Sequence, residues 1–65
     1  MTVWNLLCGC ENINFRKEVY IEIYNSSIRV VLHSFNECVG DIMDKKVIFF
    51  KVIPSIGIKI KIEDN

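Results

Sequence analysis

The sequence predicts a small α+β domain: a short N-terminal helix packed on a mainly antiparallel four-stranded sheet of two β-hairpins. Three observations carry that expectation. The stretch 46–63, KVIFFKVIPSIGIKIKIE, reads as two strands folded back around Ser55, Ile56 and Gly57. In its second half Ile58, Ile60 and Ile62 alternate with Lys59, Lys61 and Glu63, the period of two that marks a half-buried strand. Eleven isoleucines against no alanine favour strands over helices.

The helix comes first in the chain. Thr2 is placed to cap it, its hydroxyl accepting from a free N–H of the first turn. Val3, Leu6, Leu7 and Cys10 then recur at i, i+3, i+4 and i+7, one stripe of two helical turns. Trp4 sits off that stripe, and Gly9 lies near the helix end. So short a helix is unstable alone and must dock on the sheet.

Residues 18–24 form the first expected strand, with Val19, Ile21 and Ile23 on one face and Tyr20, Glu22 and Tyr24 on the other. Asn25, Ser26 and Ser27 make the turn. Residues 28–35 follow as the second strand. A two-residue turn at Ser26 and Ser27 pairs Ile23 with Val30, Ile21 with Leu32 and Val19 with Ser34. It also pairs Tyr24 with Arg29, Glu22 with Val31 and Tyr20 with His33. Residues 36–45 connect the hairpins, and Asp41–Asp44 is expected to make one helical turn that lids the sheet with Ile42 or Met43.

In the last hairpin a three-residue loop closed by a left-handed Gly57 sets Pro54 opposite Ile58, Val52 opposite Ile60 and Phe50 opposite Ile62. All the aliphatic side chains then share one face, the one the helix roofs. A barrel-like all-β arrangement is the alternative, because the helix is short.

One helix covers one face. The other carries Tyr20, Tyr24, Val31, His33, Phe35, Val47, Phe49 and Ile53 among Glu22, Arg29, Lys51, Lys59 and Lys61. Aromatic side chains with arginine are the types favoured at interface centres. Tyr20, Tyr24, Arg29, His33, Phe35, Phe49, Lys51, Lys59 and Lys61 are therefore the expected partner-binding residues, the partner being another protein, a second copy, or both.

Sixty-five residues make one domain, 1–65, and one core. Eight basic and eight acidic residues leave no net charge, against the basic excess that nucleic-acid binding draws on. No apolar run approaches the roughly 20 residues that span a bilayer, and the N-terminus lacks a basic region followed by an apolar stretch. Three cysteines are an odd number and fit a reducing, cytoplasmic setting. A domain this small has a marginal core, which makes self-association or a metal worth weighing.

Cys8, Cys10, Cys38 and His33 are the one set able to make a Cys3His zinc site. Their C-x-C spacing replaces the usual C-x2-C and no second pair follows, so the cysteines read as small buried thiols and no metal or other cofactor is expected. His33 beside Tyr20 has the chemistry of a general base. With one histidine and no nucleophile, base and orienting group in view, the chain is not expected to be an enzyme. Gly9, Gly40 and Gly57 are isolated, so no glycine loop cradles a phosphate.

MTVWNLL, followed by VYIEIYN, VVLHSFNECVGDIMDKKV and IGIKIKI, resembles the layout of small uncharacterised proteins of low-GC Gram-positive phages and mobile elements. Those open with Met-Thr-Val and a Leu-Leu helix, continue with a V-x-I-x-I-Y strand, and close with a V-x-D-I turn and a β-hairpin. The isoleucine, lysine and asparagine bias agrees with AT-rich coding. The resemblance spans nearly the whole chain and carries no catalytic signature. It implies an anti-CRISPR-like or other anti-defence inhibitor that occludes a larger host protein. The alternatives are a structural homo-oligomer, or an oligomeric sponge for a signalling nucleotide with Arg29, Lys59 and Lys61 on the phosphates.

Overall fold

The computed structural model describes residues 1–9, 19–34 and 37–64. Helix α1 (Val3–Gly9) is followed by strands β1 (Tyr20–Tyr24) and β2 (Arg29–Leu32), a 3-10 turn at Asp41–Asp44, and strands β3 (Val47–Ile53) and β4 (Gly57–Ile62). Both hairpins are antiparallel, but they meet through a parallel pair, β1 beside β4, giving the order β2-β1-β4-β3. The sheet is therefore mixed. Expecting a mainly antiparallel sheet captured the hairpins and missed the seam between them.

The seam has a physical cause. Burial of apolar area drives the choice of neighbours, and β1 and β4 carry the isoleucines with the most to gain. Ile21, Ile23, Ile58, Ile60 and Ile62 are all fully buried there, under Val3, Leu6 and Leu7 of α1. Met43 of the 3-10 turn closes one side of this core, with Ile42 packed beside it, as the sequence suggests. Gly40 leads into that turn at φ 95, a backbone conformation that favours glycine.

Thr2 and Asn5 cap α1 reciprocally. The Thr2 hydroxyl accepts from the Asn5 N–H at 3.2 Å, and Asn5 Oδ1 accepts from the Thr2 N–H at 3.1 Å. This is the capping-box exchange with asparagine in the usual glutamate position. Thr2 also bridges to Lys46, while the Val47 N–H donates to the Met1 carbonyl at 2.8 Å. The start of the helix is thereby tied to the start of β3.

The β1–β2 register pairs Ile21 with Leu32, Glu22 with Val31, Ile23 with Val30 and Tyr24 with Arg29, as the two-residue turn requires. Asn25 Oδ1 accepts from the Ser27 and Ile28 N–H groups at 2.8 Å each, the side-chain turn that favours asparagine there.

The second hairpin departs from its expected register. Val52 pairs with Ile58 and Phe50 with Ile60, while a bulge between Val47 and Phe49 returns Val47 to Ile62. The slip is two residues, so Phe50 and Val52 keep their face. The bulge carries Val47 from the expected open face to the helix side, against the core. The left-handed residue of the loop is Ser55, at φ 65, and not Gly57. With Pro54 before it and the Ile56 N–H donating to the Ile53 carbonyl at 3.0 Å, the loop has the form of a type II turn. Gly57 serves elsewhere. A Cβ on it would overlap the Tyr20 carbonyl, so its bare Cα lets β4 close on β1.

Ile48, Phe50 and Val52 were expected beneath the helix and stay exposed. A helix is about 10–12 Å across, whereas four strands at about 4.8 Å spacing span more than that. The seven residues of α1 cover the two central strands and leave β3 at a bare margin.

Candidate functional site: the open face and the β3 edge

On the face away from α1, side chains of neighbouring strands line up in rows. One row runs Val31, Glu22, Lys59, Lys51 across β2, β1, β4 and β3. The next runs Arg29, Tyr24, Lys61, Phe49. The parallel seam creates these rows by bringing β1 side chains beside those of β4.

Glu22 is the hub of this face and is 5% exposed. Its Oε1 accepts from the Tyr20 hydroxyl at 2.5 Å and from Arg29 Nη2 at 2.9 Å. Its Oε2 lies 3.5 Å from Lys59 Nζ. Arg29 Nη2 also donates to the Tyr20 hydroxyl at 3.2 Å, and Lys59 sits over the Tyr24 ring, 5.4 Å from its centroid. The Tyr20 hydroxyl holds the Glu22 carboxyl below its ordinary range, outweighing desolvation, and Arg29 and Lys59 add to the effect. The same hydrogen bond pushes the Tyr20 phenol up, and Glu22 raises Arg29. Both carboxylate oxygens are engaged, so the cluster organises the sheet surface and leaves no lone carboxylate poised for proton transfer.

Of the nine expected partner-binding residues, Tyr20, Arg29, Tyr24 and Lys59 come together around Glu22. Lys51, Lys61 and Phe49 continue the rows to the β3 edge. His33 is exposed just beyond β2, where its backbone N–H donates to Glu37 Oε1 at 3.3 Å. Phe35 lies outside the described residues. Glu22 was absent from the expected set, although its position was informative: a lone acid on the open side of a strand whose other side is all isoleucine.

Beyond Lys59 the row is unbalanced. Lys51 lies directly opposite Lys59, an arrangement of like charges that destabilises a strand pair, and Lys51 makes no ion pair among the described residues. Around it the strand is apolar and open. Ile48 is 60% exposed, Phe49 57%, Phe50 40% and Val52 39%, on both faces of the sheet and at the bulge. Past Val47, whose N–H is taken by the Met1 carbonyl, the outer backbone groups of β3 have no neighbouring strand among the described residues.

The proposed zinc residues are dispersed in character. Cys38 is buried, its Sγ 3.8 Å from the Ser34 carbonyl, and burial together with Glu37 pushes its thiol up. Cys8 is exposed, contrary to its reading as a buried thiol, and Cys10 lies outside the described residues. Among the described residues no three His, Cys, Asp or Glu side chains gather to hold a metal. No described helix is long and apolar enough to cross a membrane.

Comparison with known proteins returns no match, whether to a family model, a curated sequence or a solved structure. The class defined by fold and site is thus a small mixed-sheet α+β domain with an apolar open edge.

Proposed function

We propose that this chain is a non-enzymatic protein-binding inhibitor, of the phage or mobile-element anti-defence kind its layout resembles, and that it occludes a larger host protein. The observation that supports this is the β3 edge. Ile48, Phe49, Phe50 and Val52 leave on the order of 400 Å² of apolar surface uncovered, roughly a tenth of the chain's 4490 Å². Past Val47 it lies beside backbone groups with no strand partner among the described residues, and Lys51 and the bulge are what blunt that edge. Tyr20 and Tyr24 are half-buried and Phe49 is exposed, so the aromatic face remains available beside the edge.

The test is capture from host lysate on the immobilised chain, compared with an Ile48→Lys, Phe50→Lys double variant. The expected result is one stoichiometric protein that the variant fails to retain. Recovery of no such protein by the wild-type chain overturns the reading.

The nucleotide-sponge reading is weaker, because Arg29 and Lys59 already face Glu22. The homo-oligomer reading predicts a mass in sedimentation that rises with concentration.

A further inference from the structure

The row that crosses the open face ends one charge short. From β1 outward it reads acid, base, base: Glu22, Lys59, Lys51. Glu22 answers Lys59, and nothing among the described residues answers Lys51. The position that would do so is the next place in the row, on a strand paired to the outer side of β3. The adjoining row ends in Phe49, and the rows on the helix side end in Phe50 and Val52, so the neighbours of that place call for apolar side chains.

Neither described edge strand of a second copy fills it. The two edge strands are β2, RVVL, and β3, VIFFKVI, and neither contains an acid. Pairing two β3 strands about their midpoint, Phe50, sets Lys51 opposite Phe49, and pairing them about Lys51 opposes two ammonium groups.

We propose that β3 accepts, as a fifth strand, an extended segment of a different protein that carries one carboxylate opposite Lys51 between apolar neighbours. Main-chain hydrogen bonds along the edge supply affinity, and the carboxylate fixes register and selects the partner. The proposal rests on the protein-binding reading above and adds the chemistry of the bound segment.

Three synthetic peptides as long as β3 test it. Each is built of valine and threonine around one central residue: glutamate, glutamine or lysine. Binding is read by fluorescence anisotropy and located by backbone amide shifts. The glutamate peptide is expected to shift the amides of β3 and to bind about tenfold more tightly than the glutamine one, with lysine weakest. Raising the salt concentration should narrow that gap. Lys51→Met should abolish the difference between glutamate and glutamine, and Lys51→Glu should make the lysine peptide the tightest.

Equal binding of all three peptides at β3 overturns the acid requirement and leaves the protein-binding reading standing. Shifts that avoid β3 overturn the edge as the docking place. A concentration-dependent dimer with β3 amide shifts in the free protein overturns the foreign partner. Failure of the reading beneath is seen separately, as lysate capture that recovers nothing.

Discussion

Gly57→Ala is the substitution that most directly interrogates the parallel seam. A Cβ at this position meets the Tyr20 carbonyl carbon, oxygen and nitrogen of the neighbouring strand, all backbone atoms that no rotamer change can move aside. Relief requires β1 and β4 to separate where the Tyr20 N–H donates to the Ile56 carbonyl at 2.9 Å. Ile21 and Ile58, the next pair along, are fully buried, so separation also opens the core. Overpacking costs about 1–3 kcal/mol even where side chains can adjust, and the upper part of that range applies here. A single core in so short a chain supplies only about 3–5 kcal/mol, so most of the stability should go. The melting temperature should fall by at least about 10 °C. Urea unfolding followed by circular dichroism measures the loss. Gly9→Ala is the internal control, since nothing lies within 4 Å of a Cβ there and it should leave stability nearly unchanged. A Gly57→Ala protein as stable as the wild type would refute the β1–β4 pairing.

Gly40→Ala forces a side chain onto φ 95 and should cost about 1–3 kcal/mol in the same unfolding assay, all of it from the local backbone, since nothing else lies within 4 Å of a Cβ there. The acid limb of stability should depend on Glu22. Its folded value is depressed below the ordinary 4.5, chiefly by Tyr20, so its contribution is complete above that pH and is lost as pH falls through the folded value. Asp64, held below 3.8 by Ser26, acts in the same direction further into acid. Glu22→Gln should therefore be less stable than wild type at neutral pH and converge with it in acid; parallel pH–stability curves would contradict this. Cys38 should resist alkylation until the chain unfolds, because burial raises its thiol, whereas exposed Cys8 should be labelled in the native state, as peptide mass spectrometry would show.

How much of this was legible in the sequence depends on the range of the interaction. The Thr2 cap, the β1–β2 register and the 3-10 turn under Met43 follow from residues close together in the chain, and sequence reasoning reaches them. The β3–β4 register turned on which residue takes positive φ. Glycine is the cheaper choice, yet Ser55 adopts it, because Gly57 is required where β4 touches Tyr20. That demand comes from a strand 37 positions away, and no local signal announces it. The same seam explains the hub at Glu22. The faces of β1 and β4 were each readable, but the adjacency of Glu22 and Lys59 was not. The edge strand of the last hairpin was legible as a contact surface, but the exposure of Ile48, Phe50 and Val52 was not, because face assignment says which side a residue points to and not whether a narrow helix reaches it.

Edge exposure and marginal stability are connected in this fold. The two central strands carry the buried isoleucines, while β3 contributes mainly exposed side chains and a lysine opposed to a lysine. The strand proposed to dock a partner is thus the one least covered by the core, and regions with few buried contacts open most readily. A segment that pairs with β3 would supply a neighbour for its backbone, cover Phe50 and Val52, and place a carboxylate beside Lys51. Binding to the folded state alone at a hundredfold excess over Kd adds about 2.7 kcal/mol, comparable with the whole stability of a core of this size. The bound partner should therefore protect the β3 amides from hydrogen exchange more than those of β1. Equal protection of the two strands would show that binding stabilises the fold without seating on its edge.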